Sequence, residues 1–347
     1  MSERDTEWML RAVELSRKGV GTTSPNPPVG AVIVRDGGII GEGWHEVAGE
    51  AHAERRAIAD AIAGGNEALL PGSTIYVTLE PCSSHGKTPP CTDAIIERGI
   101  KRVVYGVVDP DMRHRGRADA VLRAVGIEVQ GGIEEAACRE VLRPWLFAAE
   151  HGSPWVVAKV ACTLDAKMAR RTERWISDPE ALRHSHQLRA ASDAILVGGE
   201  TVRRDNPALT IRTPLVGPSE RKQQPLRVVM TRHRDTLPAN ATLFTDEYKG
   251  RTLVVEDVKD FAEFLQRLHR EHGVVTLMLE CGGRLLREFL DRGLVNEWMQ
   301  DIAPVLSGGR HDMVSGDFLD VEQRLEQVSC IRAGRDIIVR GLLARAD

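Results

Sequence analysis

Apolar residues recur at close to helical spacing between positions 5 and 18, where Met9, Leu10, Val13 and Leu15 predict an amphipathic helix. The proline-rich Ser24-Pro25-Asn26-Pro27-Pro28 ends it. Two short apolar runs, 29–34 and 39–44, are parted by Asp36-Gly37-Gly38 and predict a hairpin. Residues 51–63 are alanine-rich without glycine or proline, so they predict a helix with His52 and Glu54 in its first turn. The β-branched run 74–79 stops at Pro81 and predicts a buried strand that delivers Cys82 to its tip. A helix over 92–98, a strand over 102–108, a helix over 118–125 and a short strand over 127–129 follow. This alternation is that of an α/β/α sandwich.

A second cycle starts after His151-Gly152-Ser153-Pro154, whose composition suits a linker. Strands are expected over 155–160, 194–197, 226–230, 252–255, 274–279 and 337–339, and helices over 179–191, 258–270 and 284–291. Residues 213–224, with two prolines and several charges, are expected to form a long surface loop. A chain of 347 residues exceeds what one core usually supports, so two domains are expected, 1–149 and 150–347. The halves share no motif.

Composition narrows the function. Hydrophobic residues make up 42% and charged residues 28% of the chain, as in globular proteins with real cores. A formal charge of −4 and a pI near 6.3 provide no global positive field, which disfavours a nucleic-acid partner. No apolar run approaches the length of a membrane span and the first twenty residues lack a signal-peptide centre, so the expectation is a cytoplasmic protein without a membrane partner. Enzymes of this size acting on small molecules are often symmetric, and a homo-oligomer is expected. Six cysteines in such a chain suggest metal ligands or buried thiols rather than disulfides.

Only Cys82 and Cys91 stand close together among turn residues, and His52-Ala53-Glu54 precedes them by about 30 positions, an order that matches zinc deaminases. Eight residues separate the cysteines here, where two are usual. An imidazole and two thiolates give zinc three protein ligands and leave a tetrahedral position for water. Glu54 would carry the proton from that water to a leaving amine. A histidine at a helix start is more often a cap, and a lone cysteine more often a small hydrophobe; the three residue types in this order outweigh those readings.

Together with Ser24-Pro25-Asn26-Pro27 and the stretch from Thr78 through Cys91, this constellation resembles the bifunctional riboflavin-biosynthesis deaminase/reductase family. The second half adds Lys159 to Asp165, Trp175-Ile176, Thr201 to Arg212 and Glu280 to Gly283. The resemblance implies a cytidine-deaminase-like α/β/α sandwich followed by a dihydrofolate-reductase-like α/β domain. It also implies Zn2+ and NADPH as cofactors and a small pyrimidine ribosyl phosphate as substrate, deaminated first and then reduced from ribosyl to ribityl. On the deaminase side, Asn26, His85 and Lys87 would meet the substrate. On the reductase side, the resemblance assigns Arg189, Leu209, Arg212 and Glu280 to the substrate. It assigns Ala161, Trp175, Thr201, Asp205, Gly282, Gly283, Arg284, Leu285, Leu286, Arg287 and Glu288 to the cofactor. No G-x-G-x-x-G follows a strand, so a Rossmann site is not supported; the resemblance implies that the cofactor phosphates lie at Gly282-Gly283, opening a helix.

The sequence departs from the family pattern at Asp111, Arg115-Gly116-Arg117, Ala166, Glu173, Thr231-Arg232 and Cys281. Ala166, Glu173 and Arg232 motivate an alternative expectation, a related aminopyrimidine deaminase whose C-terminal domain is degenerate and does not reduce.

Overall fold

Gly41 and Gly43 sit where a helix presses directly on a strand. In the computed structural model, which describes residues 3–84, 89–111, 115–169, 176–212, 223–316 and 319–344, a Cβ at Gly41 would lie 2.3 Å from the Ala57 carbonyl oxygen. One at Gly43 would lie 2.5 Å from the Ala57 nitrogen. The strand is β2 (Gly38–Trp44) and the helix α2 (Ala53–Ala63). Gly43 faces Ala31 across the antiparallel pair with β1 (Gly30–Arg35), so Gly30, one residue away, points to the opposite side of the sheet. There a Cβ would lie 2.0 Å from the Ala12 carbonyl of α1 (Glu3–Arg17). Helices therefore cover both faces.

The sheet continues through β3 (Thr74–Leu79), β4 (Arg102–Val107) and β5 (Glu128–Gly131) in the order β2-β1-β3-β4-β5, with the last three strands parallel. Between them run α3 (Cys91–Glu97) and α4 (Arg117–Ala124), and α5 (Glu135–His151) closes this first unit. The last of these was not anticipated, because Pro144 interrupts its pattern; its apolar stripe of Cys138, Leu142 and Leu146 nevertheless keeps the i, i+4 spacing of a buried face. Since α5 runs through position 149, the chain divides into its two compact units between Gly152 and Ser153.

The second unit is built on an eight-stranded sheet of β6 (Trp155–Thr163), β7 (Ala194–Gly198), β8 (Leu226–Thr231), β9 (Thr252–Glu256), β10 (Thr276–Leu279), β11 (Glu297–Ala303), β12 (Leu325–Ala333) and β13 (Asp336–Leu343). Their order is β12-β13-β11-β6-β10-β7-β8-β9. The six strands from β11 to β9 in that order are parallel, and β13 and β12 add an antiparallel edge. Its longer helices among the described residues are α6 (Pro179–Ala191), α7 (Gly199–Asp205), α8 (Phe261–His272) and α9 (Gly283–Asp291). Strand β11 escaped the sequence reading because Glu297, Gln300 and Asp301 break its apolar run, yet it lies beside β6 with both carboxylates buried. Of the long loop expected over 213–224, residues 213–222 lie outside the described residues.

No described helix is long and apolar enough to cross a membrane. All six cysteines are free.

Candidate active sites

Beyond Leu79 the chain leaves the first sheet through Glu80 and Pro81. The Glu80 carboxylate is 3% exposed and accepts from the backbone N–H groups of Asp109 at 3.2 Å, Gly116 at 3.1 Å and Ala118 at 3.1 Å. It thereby ties the loop after β4 to the end of β3. Burial pushes its carboxyl above the usual range in spite of those donors.

Cys82 follows immediately. Its Sγ accepts the N–H of Cys91 at 3.3 Å, and its carbonyl accepts that of Thr92 at 3.2 Å, which seats the start of α3 against it. His52 is the N-cap of α2, with extended φ and ψ of −68° and 162°, and its Nδ1 lies 3.6 Å from Cys82 Sγ and 3.4 Å from Cys91 Sγ. All three ligand atoms fall within 4.8 Å of one another. Tetrahedral zinc, with bonds of about 2.05 Å to nitrogen and 2.3 Å to sulfur, requires N···S edges of about 3.5 Å. The donor set therefore fits zinc in chemistry and in spacing. The Cys82 thiol is pulled down, foremost by its hydrogen bond with Cys91, whose own thiol is pushed up by the same contact. Glu54, two residues into the same helix, is 3% exposed, and burial raises its carboxyl.

Asn26 approaches this site through a histidine that the sequence reading passed over. His45 is 2% exposed, its Nδ1 is 3.1 Å from the Ala51 carbonyl, and its Nε2 is 3.1 Å from Asn26 Nδ2. A carbonyl can only accept, so the proton sits on Nδ1 and Nε2 receives the Asn26 amide. Burial holds the ring below its ordinary pKa and keeps it neutral. It stands edge-on to His52 with centroids 5.5 Å apart. No local spacing links position 45 to the metal motif. His85 and Lys87 lie outside the described residues.

In the second unit, open parallel sheets present ligand sites at the carboxyl ends of their strands, and Arg189, Glu280 and Thr210 meet beyond the end of β10. Glu280 follows β10. Arg189 of α6 donates to it through Nη2 at 2.8 and 2.9 Å and through Nε at 3.2 Å, while its Nη1 donates to the Thr210 carbonyl at 3.2 Å. Burial alone would raise the Glu280 carboxyl, but Arg189 and Lys159 together outweigh it and hold it low. Leu209 is 3% exposed and takes a left-handed φ of 52°, and Arg212 donates its N–H to His186 Nδ1 at 3.3 Å. Burial, aided by Arg189 and Arg212, pushes His186 down to about 4, so it stays neutral.

Several charged or polar neighbours here were not anticipated as site residues. Lys159 on β6 places Nζ 2.9 Å from Asp301 Oδ2 on β11, and the hydroxyls of Ser177 and Ser185 each donate to that oxygen at 3.2 Å. Asp301 is fully buried, and its Oδ1 has no hydrogen-bond partner among the described residues. The signal was present: a lysine inside an otherwise apolar strand needs a reason. His186, by contrast, sits in a polar stretch of α6 and carried no such mark.

The residues expected to face the cofactor divide. Thr201 and Asp205 lie on α7, which begins at Gly199, where a Cβ would stand 2.7 Å from Thr231 Oγ1. Asp205 accepts from Arg204 at 2.9 and 3.1 Å. Ala161 is half-buried on β6 opposite Asp301. Gly282 caps α9, and at Gly283 a Cβ would meet Ser315 Oγ at 2.5 Å and the Asp312 carbonyl at 2.6 Å, so packing demands that glycine. Along α9, Arg284 is exposed, Leu285 is half-buried, Leu286 is in the core, Arg287 pairs with Asp291 at 2.5 Å and Glu288 pairs with Arg292 at 2.5 Å. Helical periodicity turns these side chains in different directions, so the stretch as a whole offers backbone N–H groups at its start rather than a row of side chains. Trp175 and Glu173 lie outside the described residues.

Among the departures, Ala166 takes a φ of 58°, a conformation suited to glycine. Its neighbour Asp165 accepts from Thr163 Oγ1 at 2.6 Å and from the N–H groups of Ser307 at 3.0 Å and Gly308 at 2.6 Å, which lower its carboxyl to about 2. The turn keeps its anchoring in spite of the alanine. Arg232 is exposed, and Cys281 is buried with its thiol pushed up by burial.

Comparison with known proteins accounts for both halves. Residues 2–107 match the cytidine and deoxycytidylate deaminase zinc-binding region, and residues 154–339 match the RibD C-terminal domain. The riboflavin biosynthesis protein RibD of Synechocystis sp. is 36% identical over 99% of this chain and 97% of its own. That of Escherichia coli K12 is 37% identical over 88% of this chain and 89% of its own. Among solved structures, Acinetobacter baumannii RibD superposes with a TM-score of 0.90 at 32% identity, covering 99% of both chains. The deaminase/reductase of Thermotoga maritima superposes with a TM-score of 0.86 at 32% identity, covering 98% of this chain and 99% of its own. Similarity that runs through both halves bears out the bifunctional reading and removes the ground for the degenerate alternative. A zinc site in the first half and a nicotinamide cofactor in the second come with these domains. The chain belongs to the RibD family of riboflavin biosynthesis proteins, with a deaminase domain followed by a reductase domain.

Proposed function

We propose that the chain acts twice on 2,5-diamino-6-ribosylamino-4(3H)-pyrimidinone 5′-phosphate, removing the ring amine by hydrolysis in the first unit and reducing the ribosyl group to ribityl with NADPH in the second. The Thermotoga relative is described as a diaminohydroxyphosphoribosylaminopyrimidine deaminase and 5-amino-6-(5-phosphoribosylamino)uracil reductase, and this chain aligns with nearly all of it. The observation that carries the first step is the His52, Cys82 and Cys91 triangle, whose N···S separations of 3.6 and 3.4 Å are those of a tetrahedral zinc site. Zinc held there supplies the Lewis acidity that makes water a nucleophile near neutrality. Three protein ligands suit a catalytic site, where a structural one takes four. Glu54 keeps a proton more readily than a surface carboxylate, so it can take the proton of the attacking water and release it to the departing amine. Asn26, oriented by His45, offers its amide to the pyrimidine, and His85 and Lys87 are assigned to the substrate by family resemblance.

In the second unit the same resemblance assigns Arg189, Leu209, Arg212 and Glu280 to the substrate. Residues 282–288 at the start of α9, with Ala161, Trp175, Thr201 and Asp205, are assigned to NADPH. Backbone N–H groups after Gly282 and the positive end of the α9 dipole favour its phosphates. Two arginines near the sugar phosphate match its charge, although Arg189 also holds Glu280. The partner is thus a small phosphate ester rather than nucleic acid, and the setting is a cytoplasmic homo-oligomer.

The test supplies that pyrimidine to zinc-loaded protein and weighs the product with and without NADPH. Ammonia release alone, then a further gain of two hydrogens when NADPH is present, is the expected pattern. Ammonia release without NADPH oxidation, or neither signal, contradicts it.

A further inference from the structure

Arg55 follows Glu54 on α2, yet it serves neither that carboxylate nor the surface. Its Nη2 donates at 3.1 Å to the carbonyl of Pro89 and at 3.0 Å to that of Pro90. Its Nε is buried and has no hydrogen-bond partner among the described residues. Consecutive prolines have no N–H, so their carbonyls are all that this backbone offers, and it cannot fasten itself by donating. Pro90 is the N-cap of α3 and Cys91 its first residue. The guanidinium therefore joins the helix that carries His52 to the point where the long cysteine loop re-enters as the helix that carries Cys91.

We propose that Arg55 is a positioning residue of the zinc site, fixing Cys91 relative to His52 by clamping the Pro89 and Pro90 carbonyls. This rests on the zinc reading above. A ligand delivered from a loop with eight residues between the cysteines has more freedom to lose than one in a short turn, and a single Nη2 that donates to two successive carbonyls removes it. Groups that hold metal ligands in place typically change metal affinity by about 10- to 100-fold when removed.

The experiment measures zinc affinity of the full chain by competition with a chromophoric chelator, alongside the d–d absorption of Co2+ taken up in its place. Arg55→Met is expected to weaken zinc binding by about 10-fold or more and to alter the Co2+ spectrum. Arg55→Lys, which keeps a charged donor but not the planar guanidinium that places it, falls between, and it supplies the answer should the Met variant fail to fold. Arg56→Met is the control, because the Arg56 side chain on the same helix pairs with Glu46 and Glu50, each at 2.6 Å, rather than with the Pro89 and Pro90 carbonyls. Affinity and spectrum unchanged in both Arg55 variants overturn the proposal and leave the zinc reading standing. A parent chain that takes up no zinc overturns both.

Discussion

The Arg189 guanidinium grips the Glu280 carboxylate with both of its forked nitrogens, the shortest contact being 2.8 Å from Nη2 to Oε2. One residue comes from a helix and the other from the end of a central strand, so the pair fixes α6 against the site. Exchanging Glu280 for Gln keeps the shape and removes the charge that makes the pair strong. Glu280→Gln is expected to lower reductase kcat/KM by roughly 10-fold, about 1.4 kcal/mol, while ammonia release stays unchanged. Parallel assays of NADPH absorbance and ammonia check this; equal losses in both would contradict it.

His186 provides a pH signature for the second unit. Unfolded, it titrates at its ordinary 6.5; folded, at about 4. Above 6.5 both forms are neutral and stability is at its full value. Between the two values the unfolded chain binds a proton that the folded one refuses, so stability is lost as pH falls from 6.5 through about 4. The loss is on the order of 3 kcal/mol. Denaturant melts across this window should show it, and His186→Gln, which still accepts the Arg212 N–H but does not titrate, should flatten it.

Ala166 stores strain at φ 58°, which an L-residue occupies at a cost of about 1 kcal/mol. The Asp165 contacts around it are intact, so Ala166→Gly is expected to raise stability by up to roughly 1 kcal/mol, read as a shift of the denaturation midpoint. A destabilised variant would show that the alanine methyl contributes packing that outweighs the strain.

Much of the first site was legible because its chemistry is written in residue types that have few other uses together. His52 and Glu54 on one helix, Cys82 after a β-branched strand and Cys91 after two prolines each mark their own position. His45 was illegible because its role is to orient Asn26 from 19 residues away, a relation made by the hairpin and not by spacing. In the second unit the strands with clean apolar runs could be read, whereas β11 could not, since the carboxylates that give it its role beside Lys159 also disguise it as a loop. The start of α9 was legible as a glycine-led helix opening, but not which of its side chains turn inward. Leu286 packs in the core, as only the phase of the helix within the fold decides.

Glu54→Gln tests the central claim most directly, with zinc content and ammonia release measured on the same protein. The account predicts one zinc retained per chain, since His52, Cys82 and Cys91 are untouched, and ammonia release lowered by at least about 100-fold. Turnover that survives in the zinc-loaded variant would contradict the assignment of Glu54 as proton carrier and the mechanism built on it.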